Sequence, residues 1–80
     1  MSVIELLMPK LNDKMEEGTV VSLEIEAGQH FQAGESLFAV ETNKVVSHVE
    51  ADRAGKLVSW LIEEGDNVAV DAPIAKIEIA

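Results

Sequence analysis

Along most of the chain, aliphatic residues come in short runs, many of them β-branched, and each run stops at a cluster of Gly, Asn, Asp, Glu or Pro. That punctuation, with no 11-residue window of helical period and caps, predicts strands throughout. The runs are Val3–Met8, Val20–Ile25, a short piece around His30–Phe31, Leu37–Val40, Val45–Glu50, Leu57–Ile62, a short piece around Val68, and Ile74–Ile79. Alternation is clearest after position 44: Val45, Ser47 and Val49 fall on one face, Val46, His48 and Glu50 on the other. Pro73 stands near the start of the last run, where a missing amide donor does least harm.

The runs repeat. A shift of 37 positions lays Gly18 on Gly55, Val21 on Val58, Ser22 on Ser59, Ile25 on Ile62, Gly28 on Gly65 and Glu41 on Glu78. Conservative pairs fill the register: Val20 with Leu57, Leu23 with Trp60, Phe31 with Val68, Leu37 with Ile74, and Val40 with Ile77. One unit written twice, neither copy able to bury its apolar face alone, predicts two small antiparallel sheets packed face to face about a pseudo-twofold axis. The expected architecture is an all-β flattened barrel or sandwich of two four-stranded sheets, a single domain over residues 1–80.

Composition narrows the chemistry. The 80 residues contain no cysteine, which excludes disulfides and thiol nucleophiles. A chain of this length builds one thin core with little volume left for an enclosed catalytic pocket, so a non-enzymatic role is expected. The formal net charge of −9 repels phosphate backbones and argues against nucleic acid as a partner. No apolar stretch approaches the roughly 20 residues of a membrane helix, and no leader is visible at Met1-Ser2-Val3. The expected location is cytoplasmic, or a mitochondrial matrix if a leader has been removed, and the isolated domain is expected to be monomeric.

Between two apolar runs the chain reads Glu41-Thr42-Asn43-Lys44-Val45. Asn tolerates turn dihedrals and bonds its own backbone, so this stretch predicts a tight hairpin with Lys44 at or beside its tip. A lysine at a hairpin tip is ordinarily only a solvated charge. This one lies near the centre of the duplication, ten residues after Gly34 and eleven before Gly55.

These residues resemble the lipoyl domains of 2-oxo acid dehydrogenase complexes, whose attachment motif reads Glu-Thr-Asp-Lys followed by Ala or Val. Met8-Pro9-Lys10-Leu11, the stretch Met15-Glu16-Glu17-Gly18-Thr19-Val20-Val21 and the two turns ending at Gly28 and Gly65 are similar to the same family. The resemblance runs from Val3 to Ile79. It implies a carrier bearing lipoate, amide-linked to Lys44, with Glu41, Thr42, Asn43 and Val45 read as part of the hairpin. The implied partners are a lipoate ligase or transferase, a thiamine-diphosphate decarboxylase, an acyltransferase core that uses coenzyme A, and a flavin dihydrolipoamide dehydrogenase. The loop from Lys10 to Glu17 is a second surface those enzymes would read, and its sequence leans towards pyruvate- or acetoin-type systems. Asn43 departs from the usual Asp, which bears on recognition of the turn rather than on the fold. Biotin carriers share the architecture but normally flank their lysine with methionines, where this chain has Asn43 and Val45. An unmodified interaction module of the same fold is the other alternative.

The remaining polar residues read as structural. His30 and His48 are expected on the surface, without a cluster at metal-ligand spacing. Glu16-Glu17 and Glu63-Glu64 read as solvated turn flanks, Trp60 as core, and Gly28 and Gly65 as turn positions needing positive φ.

Overall fold

The computed structural model describes residues 2–79 as eight strands. They are β1 (Ser2–Leu7), β2 (Glu17–Leu23), β3 (His30–Phe31), β4 (Ser36–Thr42), β5 (Val45–Glu50), β6 (Gly55–Trp60), β7 (Asn67–Ala69) and β8 (Pro73–Ile79). One antiparallel sheet runs β1-β8-β6-β3 and the other β5-β4-β2-β7. The all-β expectation and the two four-stranded sheets are both observed.

The 37-residue repeat is written into the backbone hydrogen bonds. Gly28 N–H donates to Leu57 O and its mate Gly65 N–H to Val20 O, both at 2.7 Å. Leu57 N–H donates to Gln29 O at 2.9 Å, and Val20 N–H to Asp66 O at 2.8 Å. Each half therefore bonds its turn to the interior of a strand of the other half, which ties the two halves together. Gly28 and Gly65 have φ of 89° and 94°, as their turns require. Asp71 (φ 71°) holds the place that Gly34 (φ 91°) holds in the first copy.

Between the sheets lies a core that includes Met8, Val20, Phe31, Leu37, Phe38, Val40, Leu57, Ile74 and Ile77. Simple alternation fails in β4 and β8. Leu37 and Phe38 are consecutive yet 2% and 0% exposed, as are their mates Ile74 and Ala75 at 0%. The ladders slip between Ser36 and Phe38 and between Leu6 and Leu7, and such a bulge turns two successive side chains to one face. Strands β2 and β6 also start earlier than the apolar runs, at Glu17 and Gly55. They end earlier too, leaving Ile25 buried in the turn that follows β2. Trp60 is half-buried, packed against the rim of the core, and its indole N–H donates to Ile25 O at 2.9 Å.

The glycines at the mated positions 18 and 55 sit where the strands leave no room for a side chain. A Cβ at Gly55 would lie 2.8 Å from the Glu78 carbonyl oxygen and 2.9 Å from Phe31 Cζ. A backbone oxygen cannot step aside as a side chain can. Gly55→Ala is therefore expected to cost about 1–3 kcal/mol, read as a lower urea midpoint at unchanged m-value. Wild-type stability in that variant would show that the β6–β8 ladder can open at Gly55 without cost.

Candidate functional site

The hairpin joining β4 and β5 has a two-residue tip. Thr42 pairs with Val45, and between them Asn43 (φ 49°) and Lys44 (φ 65°) are both left-handed. That is the type I′ geometry, whose twist matches the strands it joins. Asn suits the first of the two central positions, but the second favours glycine, and here it carries a lysine. Lys44 is exposed between exposed Asn43 and Val45, and among the described residues no carboxylate forms an ion pair with it. An exposed lysine at a hairpin tip fits covalent acylation, which needs an approachable amine.

The predicted neighbours fall around it. Thr42 faces inwards with Val40, next to Gly18, and Glu41 pairs across the strands with Val46 on the outer face. Val45 and Val46 are 61% and 48% exposed. The loop of residues 8–16 is longer than its mate at 51–54, and the added length is folded rather than loose. Asn12 Oδ1 accepts the Lys14 N–H at 3.0 Å, and Asn12 O accepts the Met15 N–H at 3.2 Å. Met15 is 5% exposed. Its Cε and Thr42 Cγ2 lie 3.2 and 3.3 Å from the point a Cβ on Gly18 would occupy, so the loop is anchored beside the lysine hairpin.

Two features escaped sequence reading. Glu24, just past β2, accepts a hydrogen bond from the Ser36 hydroxyl of β4 and lies 3.1 Å from His48 Nδ1 of β5. His48 is on the surface, as expected, but is engaged. The trio is not a nucleophile relay: Ser36 and Glu24 meet the same ring nitrogen, whereas a relay needs the acid and the serine on opposite nitrogens. Glu64 is likewise more than a solvated flank, since it accepts the Leu23 N–H at 3.0 Å and closes the end of β2. Both links join residues 12 to 41 positions apart, which no local pattern encodes.

Hydrogen bonds from Ser36 and then from His48 hold the Glu24 carboxyl below its usual range. With its folded-state value depressed, its contribution to stability is complete above the ordinary glutamate value of about 4.5 and is lost as pH falls through the folded value. Glu24→Gln is expected to be slightly less stable than wild type near neutrality and equal to it in acid. A difference in unfolding midpoint that persisted unchanged to roughly pH 3 would refute this origin.

Known proteins resemble this chain in sequence and in fold. A family model described as "Biotin-requiring enzyme" (Biotin_lipoyl) matches residues 4–77. The chain belongs to the biotinyl–lipoyl family. The family's lipoyl domain is a non-catalytic carrier module. The chain is 42% identical over 71 residues to the mitochondrial pyruvate dehydrogenase complex protein X component of Saccharomyces cerevisiae, covering 88% of this chain and 17% of that one. It is 33% identical over 78 residues to the dihydrolipoyllysine-residue succinyltransferase component of the 2-oxoglutarate dehydrogenase complex of Cupriavidus necator, covering 98% of this chain and 19% of the relative. It thus spans less than a fifth of the length of either. The solution structure of the lipoyl domain of the 2-oxoglutarate dehydrogenase complex of Azotobacter vinelandii superposes with a TM-score of 0.78 at 26% identity, over 96% of this chain and 98% of that one. As a biotinyl–lipoyl domain, the chain shares its fold with that solved lipoyl domain over nearly the whole length of both.

Proposed function

We propose that this domain is a swinging-arm carrier in which Lys44 holds lipoate through an amide, serving a 2-oxo acid dehydrogenase complex of pyruvate or acetoin type. The observation that carries the reading is the backbone of Lys44: an exposed lysine, without an ion-pair partner among the described residues, in a left-handed position that a purely structural turn would give to glycine. Among the described residues that side chain makes no hydrogen bond or ion pair that would reward the conformation, which favours a chemical role for it. Bound lipoate supplies a dithiolane that takes up an acyl group as it is reduced and releases it to another thiol.

The protein's own part is placement and recognition. The hairpin projects the arm from a rigid sheet, and tethering raises its effective concentration at each site it visits. Glu41, Thr42, Asn43 and Val45 present the turn to a lipoate ligase or transferase. The anchored loop from Lys10 to Glu17 adds a second reading surface for the decarboxylase, the acyltransferase core and the flavin dihydrolipoamide dehydrogenase. The names of its relatives support the 2-oxo acid assignment. The family description covers biotin too, and the biotin reading is disfavoured by Asn43 and Val45 flanking the lysine.

Intact mass after exposure to lipoate with a lipoate ligase, and separately to biotin with a biotin ligase, decides among the readings. A lipoyl-sized increase mapped to Lys44, absent from a folded Lys44→Arg variant, is the expected result. A biotin-sized increase alone would move the domain to the biotin carriers. An unmodified chain in both would leave the interaction module.

A further inference from the structure

The barrel has a seam. β1 and β5 are edge strands of different sheets and are not hydrogen-bonded to each other, and between them opens a cleft of about 200 Å³. Its floor is core, Phe31 and Ile77, and its walls are Leu7 of β1 and Val49 of β5. The two charged residues that line it, Glu50 and Asp52, are both acidic. Leu6 and Leu7 of β1 line the cleft, and Val3, Ile4 and Leu7 of that strand are 39–56% exposed. Edge strands are normally blunted by lysine, proline or a cover. β1 has Glu5 as its one charge and neither lysine nor proline.

A second copy of the chain is a poor occupant, because two acidic domains of net charge −9 repel each other. We propose that the seam receives an extended segment of a basic partner. The segment adds to β1 through backbone hydrogen bonds, seats an aliphatic side chain between Leu7 and Val49, and places lysine or arginine against Glu50 and Asp52. Arg53 Nε lies 3.6 Å from Asp52 Oδ1, but both side chains are largely exposed, and a partner's cation displaces so weak a pair readily. The surface is separate from the hairpin, and its use does not depend on what Lys44 carries.

The test is amide chemical-shift mapping of the isotope-labelled chain, titrated at low salt with a synthetic hexapeptide of alternating lysine and leucine. Shifts concentrated on residues 3–8 and 49–52 are expected, with slowed hydrogen exchange of the β1 amides that face away from β8. The same peptide with glutamate for lysine is expected not to bind. The double variant Glu50→Lys, Asp52→Lys is expected to weaken binding about tenfold or more with its unfolding midpoint unchanged. Shifts spread over the distant acidic turn at Glu63 and Glu64, equal binding by the double variant, or no binding would overturn the proposal. Concentration-dependent shifts on β1 without peptide would do so as well, by assigning the seam to a second copy.

Discussion

Lys44→Gly is expected to lose lipoyl attachment entirely and yet to make the domain more stable. Attachment goes because the amine proposed to form the amide is gone and the turn holds no other lysine. Stability rises because Lys44 sits at φ 65°. A side chain in the left-handed region costs about 1–2 kcal/mol, while the extra unfolded-state freedom of glycine returns about 0.5–1 kcal/mol of that. The net gain is about 0.5–1 kcal/mol, or a rise of about 2–8 °C in Tm for a domain of this size. Lys44→Arg separates the two effects, since arginine removes the nucleophile but keeps the left-handed side chain, and its stability should match wild type. Intact mass reads the first effect and thermal unfolding the second. A glycine variant less stable than wild type would mean that Lys44 contributes to the fold, and the chemical explanation of its conformation would lose its main support.

That opposition between local stability and function was half legible in the sequence. Asn43 between two apolar runs is enough to place a tight turn and to put Lys44 at its tip, because turn chemistry is local. The duplication gave strand number and sheet count for a similar reason: two copies of one pattern must pair in equivalent ways, and Gly28 and Gly65 do so atom for atom. What the pattern hid is long-range. Leu37 and Phe38 share a face because of a slip in the ladder with β5, and a period-2 reading has no means to place a bulge. Leu11 and Met15 are both apolar residues of one loop, and only the packing of Met15 over Gly18 explains why it is buried while Leu11 is exposed. Ser36 of β4, His48 of β5 and Glu24 just past β2 meet only after the sheet has formed.

Phe38→Ala is expected to have the largest effect on the fold, and through the fold on the site. Phe38 is fully buried in β4, paired with Leu23 on one side and Val49 on the other. It therefore ties the hairpin strand to both of its neighbours. Its ring also meets Trp60 of the opposite sheet edge-on, with centroids 6.0 Å apart at 77°. Truncating a buried Phe costs about 3–5 kcal/mol, against a total of about 5–15 kcal/mol for ordinary domains. With no disulfide to hold the chain, that loss brings unfolding close to working temperature. Trp60 is the sole tryptophan and touches the deleted ring, so its fluorescence reports the transition directly. Attachment at Lys44 should then track the folded fraction, normal in the cold and failing as Trp60 reports melting, although Glu41-Thr42-Asn43-Lys44-Val45 is unaltered. Loading of the melted variant at the wild-type rate would show that the ligase reads those five residues as a sequence. Loss in step with unfolding would show that it reads the type I′ turn, and that the core beneath β4 is as much a part of the attachment site as the lysine.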